Sequence, residues 1–113
     1  MKIEQVIHLT NARIVTGNPD HLTVENGFCS DLMSDVLTID TDKMLLITGM
    51  ANVQAIRTAE MADVQCILMV RGKKATVDMI RLANENGMLL MQTAMSMFKT
   101  AGVLYEAGLK PVY

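Results

Sequence analysis

The stretch that decides the fold is KMLLITG (43–49) MANVQAIRTAEMAD (50–63), VQCILMVRG (64–72) KKATVDMIRLANENG (73–87), MLLMQT (88–93) AMSMFKTAGVLYEAG (94–108). One unit is repeated three times in it: a short apolar run, a polar or glycine-bearing loop, then an amphipathic segment of helix length. Apolar runs that do not alternate suit strands buried on both faces, and strands joined through helices run parallel. The stretch therefore predicts an α/β domain, a layered sandwich with a largely parallel sheet flanked by helices.

Outward from this stretch, Ile3, Val6 and Ile7 share one helical face, so a first helix is expected to end near Asn11. Ala12–Thr16 reads as a strand and Gly17-Asn18-Pro19-Asp20 as a turn. Leu22, Val24 and Phe28 predict a second strand with a bulge at Asn26-Gly27, because glycine inside a strand pattern often marks one. Ser30 is the expected N-cap of a helix over 31–37. Gly108 with Pro111 closes the last helix.

At 113 residues the chain is one domain, 1–113, and its two cysteines, Cys29 and Cys66, lie in no metal or redox spacing. Both are expected to be small buried hydrophobes. The ten Lys and Arg are scattered through a chain of net charge −2 that has only four aromatics, which argues against a nucleic-acid surface. Glu4, Gln5 and His8 interrupt any signal-peptide core, and no apolar run reaches the roughly 20 residues that span a bilayer. These features predict a cytoplasmic protein with no membrane partner.

In parallel sheets ligands bind beyond the carboxyl ends of the strands. Thr48–Asn52, Arg71–Thr76 and Gln92–Thr93 are thereby expected on one rim, with Thr48, Gly49, Asn52, Arg71, Lys73 and Thr93 as candidate ligand-binding residues. Backbone N–H groups at Thr48–Asn52 and the charge of Arg71 and Lys73 suit a phosphate or another small anion. Capping of the helix start by Thr48 or Gly49, and solvated basic side chains, are the plainer roles for the same loops.

Neither the Gly-x-x-x-x-Gly-Lys-Ser/Thr nor the Gly-x-Gly-x-x-Gly pattern occurs, so no kinase activity on ATP is expected. His8 and His21 lack partners at metal-ligand spacing, and Ser30 and Ser34 lack a base. No cofactor, metal or catalytic residue is predicted. On the last helix Met95, Phe98, Gly102 and Tyr105 form one stripe, and Ala94, Met97, Ala101 and Leu104 an adjacent one. So broad an apolar arc predicts either deep burial or a homodimer interface, with Met95, Phe98, Leu104 and Tyr105 as its candidate residues.

Gly27-Phe28-Cys29-Ser30-Asp31-Leu32-Met33-Ser34-Asp35-Val36 resembles the Gly-aromatic-x-Ser-Asp-Leu-Leu-Ser-Asp-Val stretch of small DRTGG-domain proteins. Further similarities follow in order: Ile47-Thr48 with Asn52, Gly72 with Thr76, Gly87, Thr93, and Phe98 with Gly102, Leu104-Tyr105 and Gly108. The motif that names the family is not kept. Its seven positions hold His21, Leu22, Thr23, Val24, Glu25, Asn26 and Gly27, and only the final glycine matches.

The resemblance implies a non-catalytic regulatory or assembly module. DRTGG domains accompany phosphotransacetylase and CBS-domain pyrophosphatases, contribute to dimerisation, and are similar to the N-terminal domain of HPr kinase/phosphorylase. It also implies sensing of a nucleotide or small anion and, from stand-alone members near hydrogenase genes, a redox or other metabolic enzyme as partner. A small enzyme that processes a ligand at the strand-end rim is the alternative.

Overall fold

The computed structural model describes residues 1–20 and 22–113. Its three central units hold strands β3 (Met44–Thr48), β4 (Cys66–Met69) and β5 (Leu89–Gln92) and helices α3 (Val53–Met61), α4 (Val77–Glu85) and α5 (Met97–Glu106). Before them come helix α1 (Ile3–Thr10), strands β1 (Arg13–Thr16) and β2 (Asn26–Cys29) and the short helix α2 (Met33–Val36). After α5 comes a two-residue strand, β6 (Lys110–Pro111). Each of the three long helices of the repeat starts behind a capping side chain. Asn52 accepts from the N–H of Ala55 at 3.0 Å, Thr76 from Met79 at 3.2 Å and Ser96 from Lys99 at 3.1 Å. Each cap satisfies a donor left over by the first helical turn and is worth about 1 kcal/mol.

The sheet runs β1-β5-β4-β3-β2-β6, with β1 antiparallel and all other pairings parallel. Alternation along the strands divides the core in two. Leu45, Ile47, Leu68, Leu89 and Met91 face α1 and α5, where they meet Ile3, Val6 and Leu104. Met44, Leu46, Ile67, Met69 and Leu90 face Val36 of α2, Ile56 of α3, and Met79 and Ala83 of α4. The layered α/β architecture read from the sequence is the one observed.

Two local expectations are corrected. Asn26-Gly27 forms no bulge: β2 pairs with β3 in unbroken register, Asn26 to Met44 through Cys29 to Ile47, and the irregularity in the sheet lies in β1 between Ile14 and Thr16. Glycine at 27 answers to packing instead, since a Cβ there would stand 2.9 Å from Cδ2 of Leu109. Ser30 does not cap α2, whose N-cap is Leu32. Its hydroxyl accepts from the N–H of Leu32 at 3.0 Å, so the side chain closes a local turn and the helix begins two residues later than expected. The chain also continues past Gly108 into β6, held beside β2 by Asn26 Nδ2, which donates to the carbonyl of Pro111 at 3.0 Å.

Candidate functional site

Because β3, β4 and β5 are parallel neighbours, their carboxyl ends at Thr48, Met69 and Gln92 lie side by side. Thr48, Gly49 and Arg71 converge there on Asp31, which the segment between β2 and α2 carries to the same rim. One carboxylate oxygen of Asp31 accepts from the N–H of Gly49 at 2.6 Å and from the Thr48 hydroxyl at 3.3 Å, while the other accepts from Arg71 Nη1 at 3.0 Å. The Gly49 hydrogen bond, joined by Arg71 and Thr48, holds the Asp31 carboxyl below its ordinary value, against a smaller opposing effect of burial. The Thr48 hydroxyl also accepts from the N–H of Met50 at 3.1 Å. This part of the rim already holds an anion, and it is the protein's own.

The remaining candidate residues lie elsewhere. Asn52 is committed to capping α3. Thr93 is buried, donating to the carbonyl of Thr10 at 2.6 Å and accepting from Met95 N–H at 3.2 Å, so it ties the end of β5 to the end of α1. Lys73 lines a second concavity of about 330 Å³ together with Arg13, Lys74, Gln92 and Thr93. Two backbone bonds tie the loop ahead of Lys73 to the end of β5, Gly72 N–H to the Thr93 carbonyl at 3.0 Å and Arg71 N–H to the Met95 carbonyl at 2.8 Å.

Reading the sequence alone placed Gln92 on the rim without its partner, and missed the parts that Asp31 and Arg13 play there. In sequence Asp31 looks like a helix-start carboxylate, and its role depends on β2 lying beside β3. Arg13 reaches the rim only because β1 is antiparallel, which sets it opposite Gln92. The positions of the degenerate motif serve the fold: Val24 is fully buried, Glu25 pairs with Lys43 at 3.7 Å, and Asn26 and Gly27 hold β6. His21 lies outside the described residues.

The last helix turns only half of its apolar arc inward. Thr100 and Leu104 are buried, whereas Phe98 is 89% and Tyr105 68% exposed. Leu104, a candidate interface residue by sequence, is therefore core at 1% exposure, and Met95 precedes the helix and is half-buried. Phe98, Gly102 and Tyr105 border an apolar cleft of about 360 Å³ whose far side is Gly27, Cys29 and Leu109. Cys29 is exposed at the end of β2, contrary to the expectation of a buried thiol, while Cys66 is buried in the core. Burial raises both thiols, Cys66 to about 11.

Comparison with protein-family models and with curated proteins gives no match. A solved structure of similar fold is the crystal structure of the CBS and DRTGG domains of the regulatory region of Clostridium perfringens pyrophosphatase, complexed with its activator diadenosine tetraphosphate. The TM-score is 0.68 at 11% identity, over 98% of this chain and 48% of that one, so this chain spans about half its length. At that identity the likeness is one of fold.

Proposed function

We propose that this chain is a non-catalytic regulatory or assembly module of the DRTGG type, acting as a homodimer and responding to a small anionic ligand. The observation that carries the reading is the outer face of α5. There Phe98 and Tyr105, 89% and 68% exposed, flank Gly102 beside an apolar cleft. Isolated exposed apolar residues are ordinary, but two aromatics bordering a cleft on one helix face form a continuous apolar surface. Burying each ring would contribute about 1.5–3 kcal/mol, and aromatic anchors over a small residue suit the centre of a two-fold contact. The solved structure of similar fold belongs to the regulatory region of an enzyme, which supports the same reading.

The groups at the rim that could have served chemistry are engaged in structure: Asp31 by Gly49 and Arg71, Asn52 by α3, and Thr93 by Thr10. That favours a module acting on a client, proposed from the family resemblance to be a redox or other metabolic enzyme, over a ligand-processing enzyme. Light scattering at micromolar concentration tests the assembly. A dimeric mass is expected at low and high salt, since salt screens ion pairs and not apolar burial, and Phe98→Glu is expected to give a monomer. A monomeric mass of the unmodified chain at both salts would overturn the reading.

A further inference from the structure

The concavity beside β1 carries charge that no carboxylate among the described residues pairs with. Arg13, Lys73 and Lys74 line it with Asn11, Gln92 and Thr93, and no carboxylate is among its lining residues. These are three of the ten Lys and Arg in a chain of net charge −2. Among the described residues the ion pairs are Lys43 with Glu25, Arg71 with Asp31 and Arg81 with Asp78, so none of the three has a carboxylate partner. Like charges gathered on one wall repel one another unless an anion joins them.

The site is also built. With its amide oxygen turned toward Arg13, Gln92 accepts from Nε at 3.0 Å and from Nη2 at 2.7 Å, which fixes the guanidinium plane and leaves its other N–H groups free. Arg71 and Gly72 take positive φ of 64° and 70° and reverse the chain ahead of Lys73 and Lys74. Arg71 is a non-glycine residue in the left-handed conformation, which L side chains rarely adopt. Bonds from Arg71 and Gly72 to the carbonyls of Met95 and Thr93 secure that loop across the end of β5.

We infer that this concavity binds the phosphate chain of a di- or triphosphate, free or carried on a nucleoside, with Arg13, Lys73 and Lys74 as its charge-bearing residues. A cavity of about 330 Å³ has room for two or three phosphoryl groups. Arg13 offers a planar donor fork, and the two lysines offer mobile point charges that follow the chain. Arg71, the basic residue that the sequence brings most readily to mind, is held by Asp31 and plays no part. The inference rests on the reading that the module responds to a small anion, and it is independent of the α5 contact.

Calorimetric titration of the full chain with inorganic pyrophosphate, tripolyphosphate and ATP tests it. Saturable binding is expected, weakening as salt rises from about 50 to 200 mM. Arg13→Gln and the pair Lys73→Gln with Lys74→Gln should each weaken it about tenfold or more, and Arg71→Gln by less than about threefold. All these side chains are exposed, and an unchanged circular dichroism spectrum checks that the variants fold. ATP binding more tightly than tripolyphosphate would assign a nucleotide, and equal affinity a free phosphate chain; both support the site. Affinity that survives Arg13→Gln and the lysine pair but is lost in Arg71→Gln would overturn the site and leave the anion response standing. Absence of binding by all three probes at millimolar concentration would overturn both, with the dimeric mass still judged by light scattering.

Discussion

The guanidinium of Arg71 lies over Gly49 in the space a side chain would occupy: a Cβ at position 49 would stand 2.9 Å from Nε and collide with the rest of the group. From there Arg71 reaches Asp31 at 3.0 Å, and Asp31 returns to the N–H of Gly49. Three loops are thus clasped by one carboxylate, and the missing side chain at Gly49 is a condition of the clasp.

Asp31→Asn is expected to lower stability by about 1 kcal/mol near neutral pH, a charge-assisted hydrogen bond and a half-exposed ion pair being lost together. The Asp31 carboxyl titrates below its ordinary 3.8 in the folded protein. Its contribution is therefore complete above that value and disappears as the pH falls through the lower, folded one. Urea midpoints of the two proteins should differ at pH 7 and converge in strong acid. A difference that does not change with pH would remove the carboxylate as its source.

Leu90 is fully buried in a central strand, so Leu90→Ala should cost about 2–5 kcal/mol through lost burial and a residual cavity. Phe98→Ala, at a ring 89% exposed, should change the stability of a single protomer by less than about 0.5 kcal/mol. Chemical denaturation of both variants at a concentration that favours monomers measures the contrast.

Thr100 is buried on α5 and its hydroxyl oxygen has no hydrogen-bond partner among the described residues. A buried hydroxyl left unsatisfied is a liability. Thr100→Val keeps the shape and removes it, and valine has a helix propensity close to that of threonine. The substitution should raise stability by about 1 kcal/mol, read as a higher urea midpoint; a loss of stability would show that the hydroxyl has a partner after all.

The two thiols should separate cleanly under alkylation. With Cys66 raised to about 11 by burial, only about one thiol in a thousand is ionised at pH 8, and it is enclosed as well. Cys29 is exposed beside the α5 cleft and should react first. If the protein dimerises through that cleft, dilution should speed the labelling of Cys29 and leave Cys66 untouched.

Gly102 meets nothing within 4 Å of where its Cβ would be, although glycine inside a helix is destabilising by about 1 kcal/mol relative to alanine. Gly102→Ala should therefore raise the melting temperature of the protomer, and, if the proposed dimer forms through α5, it should also weaken self-association, because the added methyl would enter the contact face between Phe98 and Tyr105. Melting measured across a concentration series separates the two effects.

The repeated units of 43–108 were legible because their short apolar runs do not alternate and each is followed by a polar or glycine-bearing loop and a helix-length amphipathic segment. The caps Asn52, Thr76 and Ser96 are seen only in the structure. Gly27 misled because a glycine in a strand looks the same in sequence whether it bends the chain or admits a neighbour such as Leu109. At the rim, Thr48, Gly49 and Arg71 were found as neighbours, but the carboxylate that gathers them was not. Asp31 belongs to a different strand connection, and only the lateral order of strands brings it there. Arg13 was hidden for the same reason, since its meeting with Gln92 depends on the antiparallel edge.

The strand order also sets a timetable for a chain emerging from the ribosome. The middle of the sequence can condense as soon as it is made, because β3, β4 and β5 find one another in succession. The beginning cannot: β1 has its partner in β5, α1 packs against α5, and β2 acquires its outer neighbour only when β6 appears. Such distant closures carry their entropic cost before any contact rewards them. The apolar face of α1, with Ile3 and Val6, therefore has only part of its cover until α5 is synthesised, and that interval is when a nascent chain of this kind has most need of a chaperone.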